Sequence, residues 1–354
     1  MAKTLDMKLP GLFVELKKPK KIFFHPVAID SDKLKFSEII AQTVITAISP
    51  GTEVAAYKGD PPLHSGKIYP RLLGYCNVAK ILYVGKKVAN FKPGDLILTD
   101  QSHRSVFKMP ASEILAPVPN SVVPEQAALA YLYNLGRVAL TNGEIKKGSR
   151  VAVIGLGALG LAAVAQAKLA NARIVALSAS QAKLRIAKKI GAHNALLKTD
   201  KDIVQEVKKS FNGKGADIVV TTSNGWSDWK LALQLPRKNG IISVLSFPGR
   251  TEGAPKFNPL DPRYFYAGKI NIISADLGNN PGQREPELKT LQKNCRKILK
   301  DISKKKLNPS YLTSGIYPAD QITRAYQKLL SRNGKEVTYL LDWRKSSYGK
   351  TKKH

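Results

Sequence analysis

Three glycines lie close together in the chain, Gly155, Gly157 and Gly160, with a spacing that can hold a phosphate group. An apolar predicted strand at residues 150–154 precedes them, and a predicted helix at residues 159–170 follows. In such a loop the first glycine makes a tight turn, the second lets the backbone approach a pyrophosphate, and the third lets the helix pack on the strand. The positive end of the helix then faces the phosphates. The loop predicts a dinucleotide site formed by Gly155, Leu156, Gly157, Ala158, Leu159 and Gly160.

The residues after the next predicted strand, at 173–177, indicate which dinucleotide binds. A site for NAD usually places Asp or Glu there, to accept a hydrogen bond from the ribose 2′-hydroxyl. This chain has Ser178, Ser180 and Lys183, which suit a 2′-phosphate, whereas a carboxylate would repel one. We therefore expect NADP(H) as the cofactor and treat NAD(H) as the less favoured alternative. A further alternative is that Lys183 simply lies on a solvated helix face.

The elements that must position this loop change in character along the chain. The N-terminal third is typical of short strands separated by turns, such as residues 39–48 and 78–84. From residue 150 onward, predicted strands and helices alternate, which implies a parallel sheet with right-handed crossovers. Thr222 and Ser246 directly follow two of these strands and are further candidate cofactor-binding residues. Helices are also predicted at residues 124–140, 181–190, 287–302 and 319–330, with a closing strand at 337–341.

Length and composition limit the class of protein. A chain of 354 residues suits two domains. No apolar run reaches the roughly 18 residues of a membrane span, and the first twenty residues lack the charged-then-apolar pattern of a signal peptide. We therefore expect a cytoplasmic protein that does not bind membranes. The two cysteines, Cys76 and Cys295, are too few for a disulfide framework or a Cys-rich zinc site.

The net charge of +31 is the most unusual feature of the composition. Such a field attracts nucleic acid and other anions. The lysines are dispersed as short pairs, however, without the interleaved aromatic residues that stack on bases. We therefore expect a solvated, lysine-rich surface and no nucleic-acid partner. The alternative is attraction of phosphorylated or acidic small molecules.

Five motifs in this order resemble those of the medium-chain dehydrogenase/reductase superfamily. The resemblance implies an α/β fold with a Rossmann cofactor-binding domain at residues 132–277. It also implies a GroES-like, β-rich catalytic domain built from residues 1–131 and 278–354, with the active site in the cleft between domains and a homodimer as the assembly. The motifs are Ser49-Pro50-Gly51-Thr52-Glu53, Leu73-Gly74-Tyr75-Cys76, Phe91-Lys92-Pro93-Gly94-Asp95, the glycine loop, and Lys188-Lys189-Ile190-Gly191-Ala192.

The chain departs from the zinc-dependent members of that superfamily. Pro50 stands where they have a cysteine ligand, and Tyr75 stands where they have a histidine ligand. A third ligand would fall near Tyr131, which is not a ligand either. Because a catalytic zinc needs about three protein ligands, the resemblance implies an enzyme without catalytic zinc and without another metal.

Without zinc, hydrogen-bond donors must stabilise the charge that develops on the substrate. Thr52 matches the proton-relay hydroxyl of the family, and the phenols of Tyr75 and Tyr131 are expected to point into the vacated metal pocket. His103 follows a predicted strand near the cleft and can donate a proton near neutral pH. The alternatives are that both tyrosines only fill space, that His103 is a surface residue, and that Glu53 supports the fold.

These features predict an NADP(H)-dependent oxidoreductase that moves a hydride to or from an activated C=C or C=O bond of a small molecule. Zinc-free members of the superfamily mostly reduce activated C=C bonds. Residues 49–53 and Tyr317-Pro318-Ala319-Asp320 look more like the sorbitol and threonine dehydrogenase branch, so a zinc-independent NAD(H)-dependent alcohol or polyol dehydrogenase is an alternative. An alternative of another class is a catalytically degenerate protein that senses NADPH or binds RNA.

Overall fold

A computed structural model describes residues 8–61, 68–276, 284–331 and 334–346. No helix in these ranges is both long and apolar enough to span a bilayer. The strands are β1 Lys8–Lys18, β2 Lys21–Asp30, β3 Glu38–Ala47, β4 Arg71–Leu72, β5 Asn77–Val84, β6 Leu96–Thr99, β7 Val106–Pro110, β8 Ala116–Pro117, β9 Arg150–Ile154, β10 Arg173–Ser178, β11 Asn194–Leu197, β12 Ala216–Thr221, β13 Pro236–Val244, β14 Asn271–Ser274, β15 Ile316–Pro318 and β16 Leu340–Asp342.

The helices pack mainly around the second half of these strands. They are α1 Ala55–Lys58, α2 Pro124–Ala127, α3 Ala130–Asn142, α4 Ala158–Leu169, α5 Gln181–Ile190, α6 Ile203–Ser210, α7 Trp226–Gln234, α8 Phe265–Gly268, α9 Arg284–Ser303 and α10 Ile322–Leu330. A single π-helical turn, Pro50–Val54, runs directly into α1. Such turns occur often at functional sites.

Six strands form one parallel sheet in the order β11-β10-β9-β12-β13-β14. Its central strand β9 is buried at every residue from Val151 to Ile154, because α3 and α4 cover one face and α7 covers the other. Continuous apolar strands are typical of parallel sheets that are covered on both faces. All the strands of this sheet lie between residues 150 and 274, which confirms the predicted Rossmann-type architecture.

The remaining strands form two sheets, β2-β1-β4 and β15-β16-β3-β5-β6-β8, with β7 also paired to β3. Strand β16 comes from the far end of the chain and pairs with β3, so that Leu340 lies opposite Ala47. Both ends of the chain therefore contribute to one β-rich part, as the resemblance to a GroES-like domain implies. We call this the β-rich part and the other the parallel-sheet part.

Several predicted elements differ from the observed ones at their ends. The helical run predicted at 124–140 is divided into α2 and α3, the helix predicted at 319–330 begins as the 3₁₀ turn Ala319–Gln321, and β16 begins three residues later than predicted. The predicted domain boundary at 131/132 falls inside α3. The other predicted boundary, at 277/278, and the extreme ends of the chain lie outside the described residues.

Candidate active site

The glycine loop between β9 and α4 has a different steric requirement at each glycine. Gly155 has φ +88°, in the left-handed region that favours glycine. A Cβ on Gly160 would lie 1.8 Å from the Gly155 carbonyl oxygen, whereas a Cβ on Gly157 would meet nothing within 4 Å. The Thr222 hydroxyl, which follows β12, donates to the Gly155 carbonyl at 2.7 Å. Thr222 thus holds the loop on the side of β12, and the space next to Gly157, beside the N-terminus of α4, is open among the described residues.

The other residues predicted for the loop are mostly packed away from that space. Leu156 and Ala158 are buried, and Leu159 is half-buried against the core, so the backbone forms the open surface. Ser246, which follows β13, is also buried, and its hydroxyl lies 3.2 Å from that of Thr221. Cradles of this kind at a helix N-terminus suit a phosphate group, because backbone N–H groups point outward there.

The two serine hydroxyls at the end of β10 both form hydrogen bonds within the protein. Ser178 Oγ accepts from the Ser180 amide at 3.1 Å, and Ser180 Oγ caps α5 while donating to the Gly334 carbonyl at 2.6 Å. Lys183 is half-buried rather than fully solvated. Burial lowers the pKa of its ammonium group, and the charge of Glu336 acts in the opposite direction. Lys183 is therefore the predicted cationic group at this edge, with residues 334–336 beside it.

The structure adds Lys198, which sequence reasoning missed. Its amide donates to the Ser178 carbonyl at 3.1 Å, and its Nζ donates to both carboxylate oxygens of the buried Asp228 at 2.6 Å. Lys198 directly follows β11, a short strand that was not predicted. Only the pairing of β11 with β10 shows that it reaches the same edge.

The π-helical turn brings the predicted Thr52 to Tyr75. The Ser49 amide donates to Glu53 Oε1 at 2.6 Å, which closes the turn, and the hydroxyls of Ser49 and Tyr75 are hydrogen-bonded to each other. Burial, reinforced by the neighbouring Cys76, raises the pKa of the Tyr75 phenol, while the Ser49 and Thr52 hydroxyls act in the opposite direction. The phenol therefore keeps its proton at neutral pH and is available as a donor.

Tyr131 packs against Tyr75, so these two predicted residues also meet. Their ring centroids are 4.8 Å apart with an interplanar angle of 55°. Burial, together with the neighbouring Tyr75, raises the pKa of the Tyr131 phenol. Cys76 beside them is fully buried, and burial raises the pKa of its thiol. This side of the cluster is therefore apolar and uncharged at neutral pH.

His103 is fully buried, so the alternative that it is a surface residue is wrong. Its Nε2 lies 2.7 Å from Glu53 Oε2, and its Nδ1 lies 2.8 Å from Thr46 Oγ1. Tyr326 donates to the same Glu53 oxygen at 2.6 Å. Both ring nitrogens are thus engaged, and the ring nitrogen Nε2 connects His103 through Glu53 to the turn that presents Thr52.

Sequence reasoning missed Thr46, Ser49 and Tyr326 as members of this network. They come from β3, from the residue before the π-helical turn and from α10, and no linear spacing relates them. One signal was present in the sequence, the glycine of the Gly74-Tyr75 pair. Gly74 has φ +89°, and a Cβ there would lie 2.8 Å from the His103 ring.

The side chains at the positions that the resemblance implies for zinc ligands are chemically unlike zinc ligands. Pro50 has no donor atom, and the phenols of Tyr75 and Tyr131 have raised pKa values and are not anionic. Among the residues that the structure describes, no three His, Cys, Asp or Glu side chains are grouped so that they could hold a metal ion.

Comparison with known proteins gives a consistent result. The family model described as zinc-binding dehydrogenase matches residues 158–293. The chain is 30% identical over 136 residues to the sorbitol dehydrogenase of Bacillus subtilis, covering 38% of each protein. It is 29% identical over 214 residues to the NADP-dependent isopropanol dehydrogenase of Clostridium beijerinckii, covering 50% of this chain and 61% of that one. These two alignments thus span less than two thirds of either relative.

The fold comparison covers more of the chain. The L-idonate 5-dehydrogenase of Escherichia coli superposes with a TM-score of 0.78 at 14% identity, covering 95% of this chain and 99% of that one. At that identity the likeness supports the fold alone. The family match and these sequence relatives agree with the resemblance of the five motifs to the medium-chain dehydrogenase/reductase superfamily.

Proposed function

We propose that the chain is an NADP(H)-dependent oxidoreductase that transfers a hydride to or from a C=O or activated C=C bond of a small molecule without catalytic zinc. The observation that supports this most directly is the open cradle above Gly157 at the carboxyl edge of a parallel sheet. Ligands of such sheets bind at that edge. The hydroxyl cluster of Ser49, Thr52 and Tyr75 supplies the second element, a set of uncharged donors.

In this proposal the glycine loop at Gly155, Gly157 and Gly160 would hold a nicotinamide cofactor, which would supply or accept the hydride, while side chains of this chain stabilise the developing charge and move the proton. The Tyr75 phenol donates a hydrogen bond to the oxygen on which negative charge develops, which is the task zinc has in other members. Ser49 and Thr52 orient that phenol, and Thr52 relays the proton. Tyr131 packs on the Tyr75 ring and limits the access of water to it.

We assign His103 a positioning role instead of the proton donation expected from the sequence. Its two nitrogens are committed to Glu53 and Thr46, and no part of the residue is exposed. Through Glu53 it holds the π-helical turn that presents Thr52. The pair is therefore part of the support of the donor cluster.

The preference for NADP(H) rests on charge at the end of β10. Residues 178–180 contain no carboxylate, and Lys183 is half-buried there. The relative from Clostridium beijerinckii is NADP-dependent by name. A charge-assisted hydrogen bond to a 2′-phosphate contributes about 1.5–3 kcal/mol, which is at least about tenfold in affinity.

Calorimetry with NADPH and NADH tests this preference. We expect NADPH to bind at least about tenfold more tightly, and Lys183→Gln to weaken NADPH while leaving NADH unchanged. Lys189→Gln, an exposed lysine on the same helix, is the matched control and should change neither affinity. Equal or tighter binding of NADH by the wild-type protein would reject the assignment.

The reaction itself is tested by NADPH oxidation with enones, quinones, aldehydes and ketones. For any active substrate, we expect Tyr75→Phe to lower kcat by about 10²–10³ with little change in KM, which is the typical effect of losing one donor to a developing oxyanion. An unchanged kcat would remove Tyr75 from the mechanism.

A zinc-independent NAD(H)-dependent polyol dehydrogenase is the second candidate, supported by the similarity to sorbitol dehydrogenase. Oxidation of sorbitol with NAD⁺ would favour it.

We also propose a homodimer with a small molecule as the substrate. The homodimer rests on the resemblance to the superfamily. Light scattering during gel filtration measures the assembly directly.

A further inference from the structure

A cleft of about 380 Å³ lies among α3, α4 and α9, at the end of α4 that is farther from the glycine loop. Its apolar lining residues are Leu140, Ile145, Leu169 and Ala170. Clefts that hold small molecules typically have volumes of about 300–1,000 Å³ and combine apolar walls with a few polar groups. The volume and the walls of this cleft therefore suit a small molecule, and its polar groups indicate which kind.

Gln166 on α4 is the polar residue of the cleft that points most directly to a ligand. It is only 5% exposed, and its Nε2 makes no hydrogen bond to any of the described residues. A buried amide donor without a partner destabilises the fold, because it loses the hydrogen bond that water gives it in the unfolded chain. Leucine has a similar size and would avoid this loss. Gln166 therefore suits a site at which an acceptor from outside the chain completes the hydrogen bonding.

Arg137 on α3 lines the same cleft and supplies a positive charge. Its Nε donates to Asn294 Oδ1 at 3.1 Å, and the Asn294 amide group donates in turn to Asn134 Oδ1 at 2.9 Å. This chain of neutral amides orients the guanidinium group without balancing its charge. Within the described part of the chain, no carboxylate is paired with Arg137, and its two Nη groups make no hydrogen bond. They are therefore available to a ligand.

The other polar side chains that line the cleft do not compete for these donors. Lys297 on α9 is paired with Asp301, with 3.2 Å between its Nζ and Oδ2. The Thr141 hydroxyl donates to the Arg137 carbonyl at 3.0 Å. Glu144 is exposed, so salt screens its charge more than that of the half-buried Arg137. The formal charges of these groups balance, and what favours an anion is the placement of the unpaired guanidinium and amide donors.

We propose that this cleft binds a small carboxylic acid in its anionic form, with the carboxylate on Arg137 and Gln166 and an apolar body against Leu140 and Leu169. A guanidinium group presents parallel N–H donors that match the two oxygens of a carboxylate. This ligand site is separate from the glycine loop, which lies at the opposite end of α4. The inference therefore does not depend on the proposed function.

The experiment is a calorimetric titration at constant ionic strength with sodium hexanoate and sodium benzoate, in the absence and in the presence of saturating NADPH. Hexanamide, which has the same carbon chain as hexanoate without the charge, is the matched ligand. We compare the wild type with Gln166→Leu, Arg137→Gln and Glu144→Gln. Arg296→Gln is the control variant, because Arg296 is an exposed arginine on α9 that does not line the cleft.

We expect the wild type to bind at least one of the two carboxylates saturably, and hexanamide at least about tenfold more weakly than hexanoate if hexanoate is bound. Arg137→Gln and Gln166→Leu should each weaken carboxylate binding at least about tenfold. Glu144→Gln should not weaken it, since it removes a like charge, and Arg296→Gln should leave it unchanged.

Four results would overturn the proposal. They are the absence of saturable binding by the wild type, unchanged affinity in Arg137→Gln or Gln166→Leu, hexanamide binding as tight as that of hexanoate, and displacement of the carboxylate by NADPH. In the last case the carboxylate would occupy the glycine loop instead of the cleft.

The denaturant midpoint of Gln166→Leu separates a ligand site from a packing role. Replacing a buried amide that lacks a partner by an apolar side chain of similar size should raise the midpoint of the ligand-free protein. The carboxylate should raise the midpoint of the wild type but not that of this variant. A lower midpoint in ligand-free Gln166→Leu would overturn the argument, because the amide would then be satisfied within the fold. If the wild type binds no NADPH, the proposed function fails and these titrations are unaffected.

Discussion

At the scale of single residues, each of the three loop glycines is at its position for a different physical reason. Gly155 is required by its positive φ, and Gly160 is required by the backbone oxygen that a side chain would strike. Gly157 has an ordinary backbone conformation, and a Cβ there would contact none of the residues that the structure describes. A bound group that approaches the backbone closely, as in the proposed cofactor site, would be a reason for glycine at this position.

Alanine at these positions separates stability from binding. Gly160→Ala forces a Cβ against backbone, so we expect a loss of about 1–3 kcal/mol or more in the free energy of unfolding. Gly157→Ala should unfold like the wild type but bind NADPH at least about tenfold less tightly. Denaturant titration and calorimetry measure the two effects. Normal NADPH affinity in Gly157→Ala would contradict the placement of the pyrophosphate.

The buried pair of Glu53 and His103 leads to a second prediction at this scale. Glu53→Gln keeps the shape but removes the charge that His103 and Tyr326 both contact. Breaking a buried pair typically costs about 3–5 kcal/mol in the free energy of unfolding. The buried Trp343, which donates to Thr46 in the same network, reports on this region by fluorescence.

The matched control for this substitution is Glu285→Gln. Glu285 forms an exposed pair with Lys289 on α9, and pairs of that kind contribute little to stability. If Glu53→Gln unfolds at the same denaturant concentration as Glu285→Gln, the network is not a structural support.

At the scale of elements, one carboxylate ties three strands of the parallel sheet together. Asp217 in β12 accepts from the Arg150 amide at 2.7 Å and from the Arg150 guanidinium in β9 at 2.8 Å. It also accepts from Arg237 in β13 at 2.5 Å. Partial burial by itself would raise the pKa of Asp217, but these hydrogen bonds outweigh it and hold the pKa well below its usual value.

This arrangement predicts a stability that depends on pH. Because the folded-state pKa lies below the unfolded value of about 3.9, the stabilisation is complete above that pH and is lost as the pH falls toward the folded-state pKa. We expect Asp217→Asn to lower the free energy of unfolding by about 1.5–3 kcal/mol at pH 7. Below about pH 4 the difference in this free energy between the variant and the wild type should become smaller. Urea titrations at a series of pH values measure the free energy of unfolding.

Asp261→Asn serves as the control for that measurement. Asp261 is paired with Arg263 two residues away and joins no separate strands, so its loss should change the unfolding curve little. If the difference in the free energy of unfolding between the wild type and Asp217→Asn stayed constant down to pH 3, the charge of Asp217 would not be the cause of the stabilisation.

At the scale of the whole molecule, the net charge of +31 is compatible with an enzyme and with an RNA-binding protein, and the salt dependence of RNA binding separates the two. We expect binding of a short RNA to be weak at physiological salt, to fall steeply with salt, and to be the same for a DNA strand of equal length, because backbone charge is the only attraction. Fluorescence anisotropy over a salt series measures this. Tight, RNA-selective binding that persists at moderate salt would favour the RNA-binding alternative.

The sequence alone located the parallel-sheet part well. Strands β9, β10 and β12 and helices α4 and α5 matched within one residue, since apolar strands alternating with helices and a glycine loop are local patterns. Strand β13 begins earlier than predicted, and β14, α6, α7 and α8 were not predicted. Elements with short or irregular patterns were less well placed. Strand β11 was not predicted. The turn at residues 128–129 that divides the segment at 124–140 into α2 and α3 was not predicted either, because the apolar residues continue through it.

By itself, the sequence indicated the superfamily resemblance and predicted the glycine loop between a strand and a helix, because each motif consists of residues close together in the chain. The contact of Thr52 with Tyr75, which are 23 residues apart, depends on the fold. Only the tertiary structure decided that His103 is buried between Glu53 and Thr46. The reason is physical: the partners of a buried polar group are chosen by hydrogen bonding across packed elements, and sequence distance carries no information about which elements pack.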